Sequence, residues 1–392
     1  METVLSLASV QALFSTLGLG NVRLVGGCVR DGVLGLPIYD LDACTLFTPT
    51  DVMARVAKDP NFTVYPTGID HGTLTLVHGE TRQSIEVTTL RADTVTFGRH
   101  AQVRFGTSWE EDAARRDFTF NALMLDADGR IYDFFDGQSD LRKGQVRFIG
   151  PPEDRLAEDW LRSLRYFRFW ARFGQVPPTA QEQAALCLAS QHLTHLSAER
   201  IWSELKKIVA APGAATALSF FEALGFSHAL GLDLRGLDRR GFDVRSPDLG
   251  DSDLRDLDLR SVNFQGLDPP AAWAGLLGQD NTDFLQRMRA SKAEQVRFAT
   301  VQNALFSNES LFAKRVRYGD AAAQAAEILL GRSGHLSPLP KFPVRARDLL
   351  NLGYVQGPEI GHMLMTIKER WISAKGQLSA AALLADLTKS KT

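Results

Sequence analysis

The spacing of apolar residues changes period once along this chain, and that change limits the fold more than any other feature. Between residues 22 and 90, β-branched and apolar residues run in short stretches, RLVGG, YDLDACTLF, FTVYP, TLTLV and SIEVTTL, punctuated by Gly and Pro. These predict strands of antiparallel character, with short helices from about Val29 and over 50–58. From Leu156 to about Leu230 apolar residues recur at three and four, in LAEDWLRSLRYFRFWARFG and AERIWSELKKIVAA, and the chain is again mainly helical from 269 onward. A sheet-forming segment followed by helical ones points to an α/β or α+β unit, and α+β is the fold class expected. Between them, residues 91–111 are polar without clear periodicity and read as a mobile loop. A helix over 112–123 follows, then a hairpin, LMLDADGRIYDFFDG, whose turn is Asp128-Gly129.

At roughly 150 residues per domain, 392 residues make two to three domains. The pattern divides them into 1–150, 151–231, 232–268 and 269–392. The third part is a repeat of period five: Asp or Asn recurs at 233, 238, 243, 248, 253, 258, 263 and 268, in most units followed by an apolar residue. It is similar to pentapeptide repeats and predicts a short β-helical insert; Arg239 and Pro247 depart from the pattern.

A net charge of −2 conceals an asymmetry, since residues 1–150 carry −5 and residues 269–392 carry +6. Phosphate-backbone binding at the basic end and cation-coordinating chemistry at the acidic end fit that division. Three cysteines (Cys28, Cys44 and Cys187) without CxxC spacing imply neither a disulfide framework nor a zinc site. No run reaches the ~18 apolar residues of a membrane span, and METVLSLASVQALF lacks the basic start of a secretory signal. These features predict a soluble, cytoplasmic protein; they set no oligomeric state.

Three segments carry chemistry. In Leu24-Val-Gly-Gly-Cys-Val-Arg-Asp31, paired glycines after a strand let backbone N–H groups approach a phosphate, and Arg30 stands where it could clamp it. In Tyr39-Asp-Leu-Asp42, Asp40 and Asp42 are two apart in a strand-like run, so both carboxylates project from one face, a natural ligand pair for Mg²⁺. The second segment, Arg115-Arg-Asp-Phe-Thr-Phe-Asn-Ala122, sets Arg115, Arg116 and Asn121 at a helix start, suited to triphosphate and ribose. In the third, Glu158-Asp-Trp-Leu-Arg162, residues Asp159, Arg162 and Arg165 are three apart and fall along one helical face, which continues to Arg168. An aspartate accepts from an exocyclic amine while an arginine donates to a ring nitrogen. That pair selects C and A, which present an amine beside a ring acceptor, without a template.

In order and spacing, these segments resemble the class II CCA-adding and bacterial poly(A) polymerase family of polymerase β-like nucleotidyltransferases. The resemblance runs from GGCVRD to SAERIWSEL (197–205), and less distinctively through FPVRARDLLNLGYVQGPEIGHML (342–364). It implies a catalytic head with a five-stranded mixed sheet, a neck that reads the base, and a helical body and tail that bind tRNA. It implies that Gly27 and Arg30 bind the incoming nucleotide, that Asp40 and Asp42 are catalytic and hold Mg²⁺, and that Arg116, with Arg115 beside it, contacts nucleotide. Asp117 and Asn121 would lie near the ribose, and Asp159, Arg162, Arg165 and Arg168 would contact base and phosphate; Glu86 is a candidate auxiliary carboxylate. The activity implied is template-independent addition of CCA to the tRNA 3′ end from CTP and ATP, with pyrophosphate released by two-metal catalysis. Phe97 stands where the family usually has Asp before Gly-Arg, in a loop associated with switching from C to A. A CC-adding enzyme is therefore an alternative. A poly(A) polymerase is another, although the Lys-Ser-Lys-Thr ending offers no long basic extension. From a different class, the chain could be an RNA-binding protein without catalysis.

Overall fold

The computed structural model describes residues 2–97, 100–106, 108–232, 234, 264, 266–277, 283–329 and 338–389. The chain forms two compact units, Met1–Leu230 and Gly231–Thr392. Apart from residues at its edges and Phe264, the period-five repeat lies outside the described residues, and so does the β-helix expected of it. No helix among the described residues is long and apolar enough to cross a membrane.

The first unit is built on strands β1 (Val22–Val25), β2 (Leu41–Thr45), β3 (Phe62–Gly68), β4 (Thr73–His78), β5 (Ser84–Thr89), β8 (Met124–Leu125) and β9 (Ile131–Tyr132). They form one sheet in the order β3-β4-β5-β2-β1-β8-β9. The β2–β5 pair is parallel and the other neighbours are antiparallel, so the sheet is mixed. It has seven strands where the resemblance implies five, because the hairpin at Asp128-Gly129 pairs onto β1 through the two-residue strands β8 and β9. Burial follows position. Every residue of central β1 is buried, whereas β4 and β5 alternate, burying Leu74, Leu76, Ile85 and Val87.

Two expectations are corrected here. The segment taken as a loop contains a separate two-stranded sheet, β6 (Arg91–Phe97) with β7 (His100–Phe105), paired antiparallel from Arg91↔Phe105 to Phe97↔His100. The helix expected over 112–123 is in fact a short helix, Trp109–Ala114, started by a Ser108–Glu111 capping box, and a 3₁₀ turn at Thr119–Asn121. Phe118 between them is extended and bridges to Phe148, while the Thr119 N–H donates to the Arg147 carbonyl. That pairing draws the backbone out of the helix, so the arginine pair lies at the end of one helix rather than at the start of another.

Four helices of this unit serve the site: α1 (Gly27–Val33), α2 (Trp109–Ala114), α3 (Pro152–Glu158) and α4 (Leu161–Phe173); a fifth, α5 (Ala198–Val209), packs on α4. Phe118, Phe120, Phe148, Tyr166 and Phe169 form an aromatic cluster with ring centroids 4.9 to 5.5 Å apart in its closest pairs. Burying each such ring contributes about 1.5–3 kcal/mol, and the cluster fixes α4 to the segment that carries Asp117 and Asn121. In the second unit, α6 (Ala346–Asn351) and α7 (Pro358–Ser373) share a core of Leu349, Ile367, Trp371 and Leu383. Phe312 and Phe342 set their rings 5.2 and 5.4 Å from Trp371.

Candidate active site

Arg30, Asp40 and Asp42 line a cleft of about 770 Å³ in the first unit. Gly27, Arg115, Arg116, Asp117 and Asn121 line it too, as do Asp159, Arg162, Arg165 and Arg168, so the cleft gathers all twelve residues singled out in the three segments. Glu86 stays outside the lining: it is exposed on β5, where it is the strand partner of Asp42.

Where β1 gives way to α1, Gly26 turns the chain with φ +71°, a conformation that strains any side chain, and a Cβ there would lie 3.6 Å from Arg116 Nη1. A Cβ on Gly27 would meet Arg30 Nη2 at 3.8 Å, an ordinary contact. Packing alone therefore does not require glycine at 27; close approach of a ligand to the backbone would.

Asp40 is exposed just before β2, and Asp42 is half-buried within it. Burial, and then the charges of Glu86 and Asp40, push the Asp42 carboxyl above its usual range, against a partial pull from Arg116. A divalent cation would relieve that crowding. No group of three or more His, Cys, Asp or Glu able to hold a metal occurs among the described residues. Asp40 and Asp42 offer two carboxylates, an all-oxygen donor pair that fits a hard ion completing its coordination with water and substrate phosphate.

The remaining wall is cationic: seven arginines and Lys207 face the cleft against five aspartates. Buried Asp112 holds two of the arginines, accepting from Arg115 Nη2 at 2.8 Å and from Arg116 Nη2 at 3.1 Å. Among the described residues, Arg116 Nε is buried without a hydrogen-bond partner. Arg30 donates to Asp31 at 2.8 Å and to Asn121 at 2.7 Å, and Arg172 reaches the other oxygen of Asp31 at 3.0 Å. Asp117 accepts from Asn121 at 2.9 Å and from Arg165 at 2.5 Å. Burial opposes its charge, but Arg165, Asn121 and Arg162 prevail and hold it at about 2. Burial, and then neighbouring Arg165, push Arg168 down to about 10, although its Nη1 donates to buried Glu204 at 2.9 Å. Cys28 and Cys44 are pushed up by burial to about 11 and about 12, too high for a thiolate nucleophile.

Asp159 corrects the expected helical face. It lies in extended backbone between α3 and α4, one oxygen accepting from the Leu161 N–H at 3.1 Å and the other from Arg200 at 2.7 Å. Arg162, on α4, pairs instead with Glu158 and donates to the Arg155 carbonyl. The two residues still reach one cleft, across a break rather than along one helix.

Sequence reasoning missed Asp31, Tyr39, Phe169, Arg172 and Lys207, which also line the cleft, and Asp112 and Arg200 behind it. Asp31 and Tyr39 adjoin residues that were chosen. Arg200 is the arginine of SAERIWSEL and Arg172 continues the α4 series, so both had a signal; Asp112 had none.

Chemically, the cleft can hold a polyphosphate on its arginines, a hard cation on its aspartate pair, and an amine-bearing base at Asp159. It has the constitution of a site that handles nucleoside triphosphates. Residues 22–147 match the Poly A polymerase head domain family. Over 94% of its length the chain is 32% identical to CCA tRNA nucleotidyltransferase 1, mitochondrial, of Mus musculus, covering 87% of that protein. A CCA-adding enzyme of Oceanobacillus iheyensis is 44% identical over 188 residues, 47% of this chain and 44% of that one. The crystal structure of the Bacillus stearothermophilus CCA-adding enzyme in complex with CTP superposes with a TM-score of 0.71 at 25% identity, covering 98% of each chain. The chain belongs to the CCA-adding tRNA nucleotidyltransferase family.

Proposed function

We propose that this protein adds the 3′-terminal CCA to tRNA from CTP and ATP, releasing pyrophosphate. The observation that carries the reading is the convergence of the three segments, far apart in sequence, on one cleft with an aspartate pair at one side and an arginine wall at the other. Asp40 and Asp42 hold the catalytic metal, and their all-oxygen donor set favours Mg²⁺. When bound, such an ion acidifies the attacking hydroxyl and neutralises charge on the phosphates. Gly27, Arg30 and Arg116, with Arg115, take the triphosphate, and Asp117 and Asn121 face the ribose. Asp159 keeps unused lone pairs on both oxygens to accept the amine of C or A. Arg162 Nε, free among the described residues, donates to the ring nitrogen. Arg165 and Arg168 balance the phosphate charge.

Residues 1–150 then serve as the catalytic head, 151–231 as the neck that reads the base, 232–268 as an insert and 269–392 as the tRNA-binding body. All three cysteines are free, which fits a reducing compartment, and we place the protein in the cytoplasm.

The test uses tRNA transcripts ending at the discriminator base, at -C and at -CC, each with CTP, ATP or both. Stepwise growth to CCA is expected; chelation with EDTA abolishes it, Mg²⁺ restores it, and Asp40→Ala stays inactive. Growth that stops at CC would favour the CC-adding reading raised by Phe97, which stands beside the tip of the β6–β7 hairpin. Long A-tails would make the protein a poly(A) polymerase, and tight RNA binding with no extension would leave a binding protein.

A further inference from the structure

We infer that Tyr39 is the stacking platform for the terminal base of the RNA acceptor strand, an assignment that rests on the nucleotidyl-transfer reading above. At 82% exposure, Tyr39 is the most exposed of the large apolar side chains among the described residues. It also lines the cleft, and it immediately precedes Asp40. Neither its ring nor its hydroxyl has a partner among the described residues. A bare aromatic face held in water beside a charged site has no stabilising role in the folded chain, and burying it on a ligand gains apolar contact.

Its place along the cleft selects the ligand. Accessibility rises from buried Asp112 and mostly buried Arg116, through half-buried Asp42, to exposed Asp40 and then Tyr39. A mononucleotide can enter to the arginine wall. A macromolecular strand must approach from the open side, and its 3′-hydroxyl must come to the aspartate pair. The last base of that strand is thereby brought to the open side of the cleft, where exposed Tyr39 adjoins Asp40. Every base has a π-face, so stacking tolerates an acceptor end that changes identity as it grows. The segment is anchored below this point: the Leu36 N–H donates to the Asp31 carbonyl at 2.9 Å, tying the loop to α1. Immobilising a tyrosine ring also fixes only two torsions.

The experiment compares wild type, Tyr39→Ala, Tyr39→Leu and Tyr39→Phe on transcripts ending at the discriminator base and at -CC. Alanine is expected to raise the RNA KM by about fivefold to about 150-fold, the range of one lost base stack, with kcat and CTP affinity unchanged. Phenylalanine restores the RNA KM; leucine, apolar but not planar, does not. CTP affinity is measured by equilibrium dialysis without RNA. An unchanged RNA KM in Tyr39→Ala overturns the proposal, and so does rescue by leucine or an equal loss of CTP affinity. Should the wild type extend no transcript, the transfer reading fails; filter binding of the same RNAs to wild type and Tyr39→Ala then decides the stacking contact separately.

Discussion

Asp117 is a carboxylate surrounded by the cations it holds in place. Burial alone would raise its pKa; Arg165, Asn121 and Arg162 instead hold it at about 2, below its usual 3.8. A depressed carboxyl stabilises the folded state at pH above the unfolded value, and this contribution fades as pH falls through the folded value. At neutral pH the linkage amounts to about 2 kcal/mol. Urea denaturation of wild type against Asp117→Asn should therefore show a stability gap that is constant from pH 7 to about 5 and narrows below about 4. A gap that stays constant down to pH 3 would mean that Asp117 contributes through packing, not charge. Residue identities in this cleft were legible where side-chain chemistry and spacing were both unusual, as in the glycine pair, the aspartate pair and the arginine series. Asp112 was not. Its role exists only because α2 places it beneath Arg115 and Arg116, and an aspartate in an acidic helix start reads as a dipole partner.

Elements were legible as periods and poorly legible as boundaries. The switch from strand to helix stood in the apolar spacing, but the extended backbone at Phe118 depends on pairing with Phe148, thirty residues later in the chain, which no local pattern contains. The break at Asp159 had a local cue. An aspartate just ahead of a helical run can accept from the free N–H groups at its start, and the Asp159 carboxylate takes the Leu161 N–H. That break exposes Asp159 to α5, where Arg200 fixes its outer oxygen at 2.7 Å. Because the pair is partly exposed, Arg200→Ala should cost at most about 1 kcal/mol of stability. Its effect on selection should be larger. If Asp159 reads the base, freedom to rotate costs it preference for an amine donor, and a good polar pair is worth about 1–3 kcal/mol of discrimination. The CTP-over-UTP preference in kcat/KM is expected to fall by about tenfold or more, while the thermal midpoint hardly moves. Unaltered preference would assign base selection to Arg162 alone.

For the whole molecule, a net charge of −2 has to be reconciled with a polyanionic partner. The excess of +6 over residues 269–392 supplies the means, provided the cations stay unpaired at the surface. Several do not: Arg315 pairs with Asp320 at 2.8 Å, Arg317 with Glu309 at 2.6 Å, and Arg297 with Asp268 at 2.7 Å. Lys341 and Arg347 differ, being exposed on the segment that leads into α6 and on α6 itself. Val344 and Leu349 anchor the same stretch in the core of the second unit, so these cations sit on a rigid support. If they contact tRNA phosphates, each releases a condensed counterion, and log Kd varies with log salt accordingly. The double variant Lys341→Gln, Arg347→Gln should weaken tRNA binding at low salt and reduce the magnitude of that slope by about two. CTP affinity, set in the first unit, should not change. Filter binding from 50 to 300 mM KCl gives the slope (~six points suffice for a line). Equal slopes for variant and wild type would place the phosphate contacts elsewhere on the molecule, and a parallel loss of CTP affinity would mean that the two units do not divide the substrates between them.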